Sequence, residues 1–387
     1  MSKKPVWLSS GCGALADFVE TVGQATDPST VPNANSICKN IPVYRYDELE
    51  KLDEGDIRAI MGEWANVLKA GSGIIVIEGL IDTDIIDRAT VIFNDLIKTE
   101  KSAGHVVGDH FAKPGSNDRI WNSLEKHCIA DPEGFAHYFG NRVFDAVCQS
   151  WLGPAYQVTA QVNRVNPGGQ AQSAHRDYHL GFMNPDTIVK FPSHVHTVSP
   201  MLTLQGAVAH VDMPIESGPT MYLPFSQQYH EGYIAFGQPD FQEYFRQNHV
   251  QLALKKGDGV FFNPAIMHGA GNNISQDMQR LANLVQVSSA MGRAMEAVDR
   301  TRMANTLYPI LKKLRENSNL TQLQIEAVVA ASAEGYAFPT NLDRDPPTNG
   351  HAPKSQAEHM LKALELEMSI REFSSLLDDL EKKRRAN

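Results

Sequence analysis

Tyr156-Gln157-Val158-Thr159-Ala160-Gln161-Val162-Asn163-Arg164-Val165 is the stretch on which the fold turns. In an extended chain side chains alternate between two faces. Val158, Ala160 and Val162 therefore share one face, and Thr159, Gln161 and Asn163 the other. The apolar face needs a core, and the polar row reads as the wall of a cavity. Thr197–Val211 repeats the pattern, with Leu202 and Leu204 opposite Thr203 and Gln205. Ile74–Ile77, Gly259–Asn263 and Leu281–Ser288 read as further strands. Short strands parted by Gly/Pro turns predict a sandwich or barrel. Helical spacing flanks them. Ile57, Ile60, Met61, Trp64, Val67 and Leu68 mark a helix over Asp56–Leu68, and a second runs from Asp84 to about Thr99. Met295–Leu314 is helix-like, and Thr321-Gln322-Leu323-Gln324 is a capping box for a helix through Ala333. The expected fold is mainly β with helices: a double-stranded β-helix (jelly roll, cupin-like) core covered by N- and C-terminal α-helices.

The chemistry-bearing residues begin with His175-Arg176-Asp177, at the end of a turn-rich run Asn166-Pro167-Gly168-Gly169-Gln170. Period two puts His175 and Asp177 on one face. With the distant His268 they make two imidazoles and one carboxylate, a donor set that holds Fe(II) and leaves three positions open. A bidentate 2-keto acid takes two of these and O2 the third. Arg280 is placed to hold the distal carboxylate of 2-oxoglutarate through a charge-assisted fork. His210-Val211-Asp212 is a second triplet of the same form. It ends the apolar alternation of Leu202, Leu204 and Val208, so it reads as packed sheet, and the metal is expected at His175, Asp177 and His268. Gln161 and Asn163 are expected to help position the co-substrate. Trp121, Asn122, Arg176 and His179 are the expected substrate contacts, with Arg119 beside them in a loop-rich stretch from 100 to 130. His194 and His196 are expected to be structural.

Four stretches, in order, resemble the phytanoyl-CoA dioxygenase family of Fe(II)/2-oxoglutarate oxygenases. They are Gly73–Leu80 with the helix from Asp82, the triplet His175-Arg176-Asp177, Ser217–Pro224 with His230, and Gly257–Phe262 leading to His268–Asn273. The likeness spans about Trp64 to Gln286 and departs from the usual pattern at Arg176 and in the displaced His230. It implies a dioxygenase that hydroxylates a small-molecule metabolite with release of succinate and CO2. The alternative is a metal-binding jelly roll without 2-oxoglutarate turnover, an isomerase or a binding protein.

Composition bounds the rest. Of 387 residues 42% are hydrophobic and 21% charged, enough for a large core beneath an ordinary surface. A net charge of −10 argues against a nucleic-acid partner, which needs a basic patch. The four cysteines show no C-x-x-C pair, which favours a reducing, cytoplasmic setting. No apolar run reaches the ~20 residues of a membrane span. Gly11-Cys12-Gly13-Ala14-Leu15-Ala16 mimics a dinucleotide turn but runs into Thr26–Asn35, which is loop chemistry rather than a second strand. The expected division is an N-terminal arm over 1–55, a jelly-roll oxygenase domain over 56–294, and a helical extension over 295–387. In the last of these Ala363, Leu366, Ile370, Phe373, Leu377 and Leu380 form one stripe, packed on the core or across a homodimer contact.

Overall fold

The computed structural model describes residues 5–9, 11–103, 115–177, 183–337 and 341–385. His179 and residues 104–114 of the loop-rich stretch lie outside them. The strands are β1 Ser36–Cys38, β2 Ile41–Arg45, β3 Ile74–Glu78, β4 Asn117–Ile120, β5 Gln157–Val165, β6 Thr203–Ala209, β7 Met221–Leu223, β8 Val250–Gln251, β9 Gly259–Phe262, β10 Met267–Gly269 and β11 Arg280–Ser288. One sheet runs β1-β2-β3-β9-β6-β11-β5-β4, and a smaller one runs β10-β7-β8. All pairs are antiparallel except β2 with β3. The segment at His175 joins the small sheet through a bridge to His268. Two sheets facing each other around a cavity, with helices on the outside of the larger one, make the double-stranded β-helix.

The two faces of the large sheet divide as period two requires. Val158, Ala160, Val162, Leu204, Val208, Leu281, Val285 and Val287 are buried outward in one cluster with the helices. That cluster takes in Trp64 and Leu68 of the helix Glu54–Ala70, and Phe93 of the helix Thr83–Ser102. Inward, Val76, Val260 and Phe262 meet Tyr222, Leu252 and Ile266. The helices Arg300–Glu316, Gln322–Ser332, Gln356–Glu365 and Ile370–Arg384 join the outer cluster through Leu307, Val328, Ala363 and Leu377.

Several expectations need correction. The strand anticipated from Thr197 starts at Thr203, because Ser193–Val198 is helical and Ser199–Leu202, with Pro200 in its first turn, is a 3-10 turn. The helix anticipated from Met295 starts at Arg300, where Asp299 caps it. The terminal stripe is two helices, not one. Glu367 adopts φ 53° between them, and Leu366 and Ile370 are exposed while Ala363, Phe373, Leu377 and Leu380 are buried. Residues 1–55 are more than an arm, since β1 and β2 extend the large sheet. The dinucleotide-like run opens the helix Leu15–Val22, and Tyr229 accepts from Ala14 N–H at 2.8 Å. Gly13 has φ 99°, and a Cβ there would lie 3.1 Å from the Tyr229 hydroxyl, so glycine serves packing and not a phosphate.

Candidate metal centre

Strand pairing assembles the site. His175 and His268 exchange both backbone hydrogen bonds, at 2.9 and 3.0 Å, and residues directly opposite point to the same face. Their rings lie 4.4 Å apart between centroids. Asp177, two residues on, returns to that face, and its N–H bonds Pro264 O at 2.9 Å. One ligand atom from each of the three lies within 4.8 Å of the others. Asp177 Oδ1 is 3.8 Å from His175 Nε2, and Oδ2 is 3.6 Å from His268 Nε2.

The ring nitrogens are assigned by their partners. His175 Nδ1 meets Ser173 O at 3.1 Å and His268 Nδ1 meets Ile266 O at 2.9 Å. A carbonyl only accepts, so each Nδ1 carries the proton and donates. Each Nε2 then keeps its lone pair turned to the centre, the arrangement a metal requires. Burial opposes ionisation of Asp177, but its contacts with His268, His175 and Gln205 outweigh it and hold the carboxyl well below its usual range. Gln205, inward-facing on β6, donates from Nε2 to Asp177 Oδ2 at 2.6 Å.

A cavity of about 630 Å³ opens over these residues. Its walls include Trp121, Arg119, Arg176, Met183, Ile188 and Phe236, together with Asn163, Thr220, Tyr222 and Arg280. Arg280 is the first residue of β11 and is 6% exposed. Its Nη1 has no hydrogen-bond partner, and among the described residues no carboxylate pairs with it. Burial pulls its pKa down from 12.5 to about 10. Asn163 also faces the cavity, and its buried Oδ1 has no partner.

Other anticipated residues fall elsewhere. Gln161 is buried in a neighbouring network, accepting from Arg119 Nη2 at 2.7 Å and contacting Met295 Sδ at 3.4 Å, and it does not line the cavity. Asn122 turns away as well, donating to Glu125 Oε2 at 3.1 Å. Arg176 lines the cavity but is committed to structure too: it donates to Ser226 O and lies 5.2 Å over the Tyr233 ring. His196 Nε2 bonds Phe191 O at 3.1 Å. The second triplet is no site. His210 follows the outward parity of Leu204 and Val208, and both its nitrogens are taken, by Thr90 Oγ1 at 2.8 Å and Tyr138 Oη at 3.1 Å. Sequence reasoning missed Gln205 as a partner of the centre. Its place opposite Leu204 marked it as inward-facing, but nothing in the pattern tied it to Asp177.

Residues 71–282 match the phytanoyl-CoA dioxygenase (PhyH) family. Among characterised proteins, the multifunctional dioxygenase ausE of Emericella nidulans is 25% identical over 222 residues, 54% of this chain and 67% of its own length. The protein of the same name from Penicillium brasilianum is 25% identical over 240 residues, 58% of this chain and 71% of its own. Among solved structures, the non-heme alpha ketoglutarate dependent carbocyclase SnoK from nogalamycin biosynthesis superposes with a TM-score of 0.43 at 17% identity, covering 62% of this chain and 86% of that one.

Proposed function

The chain belongs to the phytanoyl-CoA dioxygenase family of 2-oxoglutarate-dependent non-haem iron oxygenases, and on that premise we propose that His175, Asp177 and His268 hold Fe(II), that Arg280 anchors 2-oxoglutarate, and that the protein hydroxylates a small-molecule metabolite. The observation that carries the reading is the convergence of two Nε2 lone pairs and one carboxylate on the wall of a cavity. The residues fit the metal. Two neutral imidazoles and one anionic oxygen donor suit ferrous iron and leave positions for a chelating keto acid. They fit the co-substrate as well. A buried guanidinium without a counter-ion is costly, and a carboxylate brought in by a ligand removes that cost.

Once bound, the metal supplies activation of O2 coupled to oxidative decarboxylation of the keto acid, giving succinate, CO2 and an oxidised substrate. The chain's own work is to bind, orient and exclude water. Arg280 receives the distal carboxylate of the keto acid, and Asn163 lines the same cavity. The δ-nitrogen hydrogen bonds keep both imidazoles in the ligating tautomer. Trp121, Met183, Ile188 and Phe236 give the cavity apolar wall for the substrate, and the buried Gln205 Oε1, which has no partner among the described residues, offers it an acceptor. A cavity of about 630 Å³ lies within the range of small-molecule sites, roughly 300–1,000 Å³. Among the described residues no helix is long and apolar enough to cross a membrane.

The test is anaerobic reconstitution. Protein loaded with Fe(II) develops a weak visible charge-transfer band on addition of 2-oxoglutarate, and on admission of O2 forms succinate slowly even without substrate. Iron-loaded protein that shows neither the band nor any succinate refutes the reading.

A further inference from the structure

We infer that Gln205 is a positioning residue of the metal centre, which sets the affinity for the metal by fixing the Asp177 carboxylate. The inference rests on the metal-centre reading above. Gln205 sits on β6, is 4% exposed, and donates from Nε2 to Asp177 Oδ2 at 2.6 Å. A carboxylate accepts and never donates, so the contact fixes the amide orientation: the NH2 faces Asp177 and Oε1 faces away. Oε1 is then buried with no hydrogen-bond partner.

That arrangement is hard to explain as packing. An amide retained for stability alone would satisfy both ends, since a buried acceptor left unpaired is destabilising. Further along the same inward face the residues are apolar, Ala207 and Ala209 on β6 opposite Leu284 and Ala282 on β11, whereas Gln286 stands directly opposite Gln205. Here an unpaired acceptor is tolerated so that the donor reaches Asp177. Asp177 needs a guide, because it lies beyond the bridge that pairs His175 with His268, and among the described residues one backbone hydrogen bond, to Pro264, holds its place. Oδ2, held by Gln205, lies 3.6 Å from His268 Nε2, and Oδ1 lies 3.8 Å from His175 Nε2, so the amide sets how the carboxylate faces both imidazoles. A carboxylate fixed in orientation would present a constant donor to a bound metal; released, it would be free to rotate and to weaken that hold.

The experiment uses the full chain and Mn(II) alone as the probe, titrated under argon with free Mn(II) followed by electron paramagnetic resonance. Gln205→Met keeps the length and bulk and removes the donor. The expected result is a Kd for Mn(II) about 10- to 100-fold higher than wild type, the range seen when outer partners of metal ligands are removed. The melting temperature of the metal-free variant stays at or above that of wild type. With Fe(II) and 2-oxoglutarate under argon, the visible absorption maximum moves, which a purely structural role would not produce. If Gln205→Met does not fold, Gln205→Asn keeps the amide but draws it back by one methylene, and the same weakening is expected. A Kd within twofold of wild type in a folded variant overturns the inference alone. A wild-type chain that takes up no Mn(II) overturns the metal reading and this inference with it.

Discussion

Arg280→Met separates function from stability in opposite directions. The guanidinium is held with one nitrogen unpaired and no carboxylate beside it among the described residues, and burial lowers its pKa from 12.5 to about 10. That difference corresponds to about 3 kcal/mol by which the fold disfavours the charged side chain. The sign follows from proton counts. Below about pH 10 both folded and unfolded chains keep the proton, so the cost is constant across the working range. Between about 10 and 12.5 the unfolded chain binds more protons, and stability rises with pH. Methionine keeps most of the stem and removes the charge. Unfolding entropy near 2.1 cal/mol/K per residue gives roughly 0.8 kcal/mol/K for a chain of this length, so Tm should rise by about 4 °C in ligand-free protein. Affinity for 2-oxoglutarate should fall by about 30-fold or more, since truncating a buried charge pair costs on the order of 2–5 kcal/mol. Differential scanning calorimetry of the metal-free protein reads the first effect, and calorimetric titration of the Mn(II)-loaded protein reads the second. A variant that melts several degrees lower, or one whose keto-acid affinity stays within threefold, refutes the assignment of Arg280 as a strained anchor awaiting its anion.

The two triplets should part under mutation. His175→Ala abolishes tight Mn(II) binding with little change in Tm, whereas His210→Ala removes the contacts to Thr90 and Tyr138 and opens a cavity in the core, lowering stability by about 2–3 kcal/mol with the metal still bound, read by metal stoichiometry and urea denaturation. Acid should destabilise the fold early. Burial lowers His127 to about 4 and His210 to about 3, so both are neutral when folded and charged when unfolded. The stability they contribute is present above the unfolded value near 6.5 and is lost as pH falls toward the folded values, by about 2 kcal/mol per ring at pH 5. His127 packs among Phe93, Phe135 and Tyr138 with both nitrogens unpartnered, so His127→Phe should raise stability at pH 7.5 and raise it more at pH 5. An unchanged difference between the two pH values in urea titrations would contradict that account.

Period two was legible wherever one face of a strand was apolar. The alternation of Val158, Ala160 and Val162 against Thr159, Gln161 and Asn163 identified the central strand and its cavity face, and Asn163 does line the cavity. Where strands are stabilised by charge instead, the pattern was silent. β4 reads Asn117-Asp118-Arg119-Ile120, without apolar alternation. It forms because Asp118 is buried between Lys101, at 2.6 Å, and Arg164 of the adjacent strand. Those partners are distant in sequence, so the stretch looked like loop. β7, β8 and β10 are two or three residues long and are set by their neighbours rather than by their own composition. The break at Glu367 was hidden because the spacing of apolar residues continues across it.

The site divides along the same line. Periodicity says which face a residue takes, and that was enough to put His175 with Asp177 and to set His210 apart with Leu204 and Val208. It does not say which strand lies alongside. The pairing of His175 with His268, and of His268 with Tyr222, is a property of register between distant segments. So is the contact from Gln205 to Asp177, which crosses from one sheet to the other. The residues that bind are thus visible as types and faces, whereas those that position them are visible only in the fold. This explains why Asn122 and Gln161, chosen for polarity near the right strands, proved to be tied to Glu125 and Arg119. It also explains why the most informative polar atoms here are the unpaired ones. Arg280 Nη1, Asn163 Oδ1 and Gln205 Oε1 are all buried on cavity-lining side chains without partners. A fold that leaves a donor cation and two acceptors unsatisfied around one space is strained in the absence of ligand, and the most direct relief is a molecule that brings a carboxylate to the first and hydrogen-bond donors to the others.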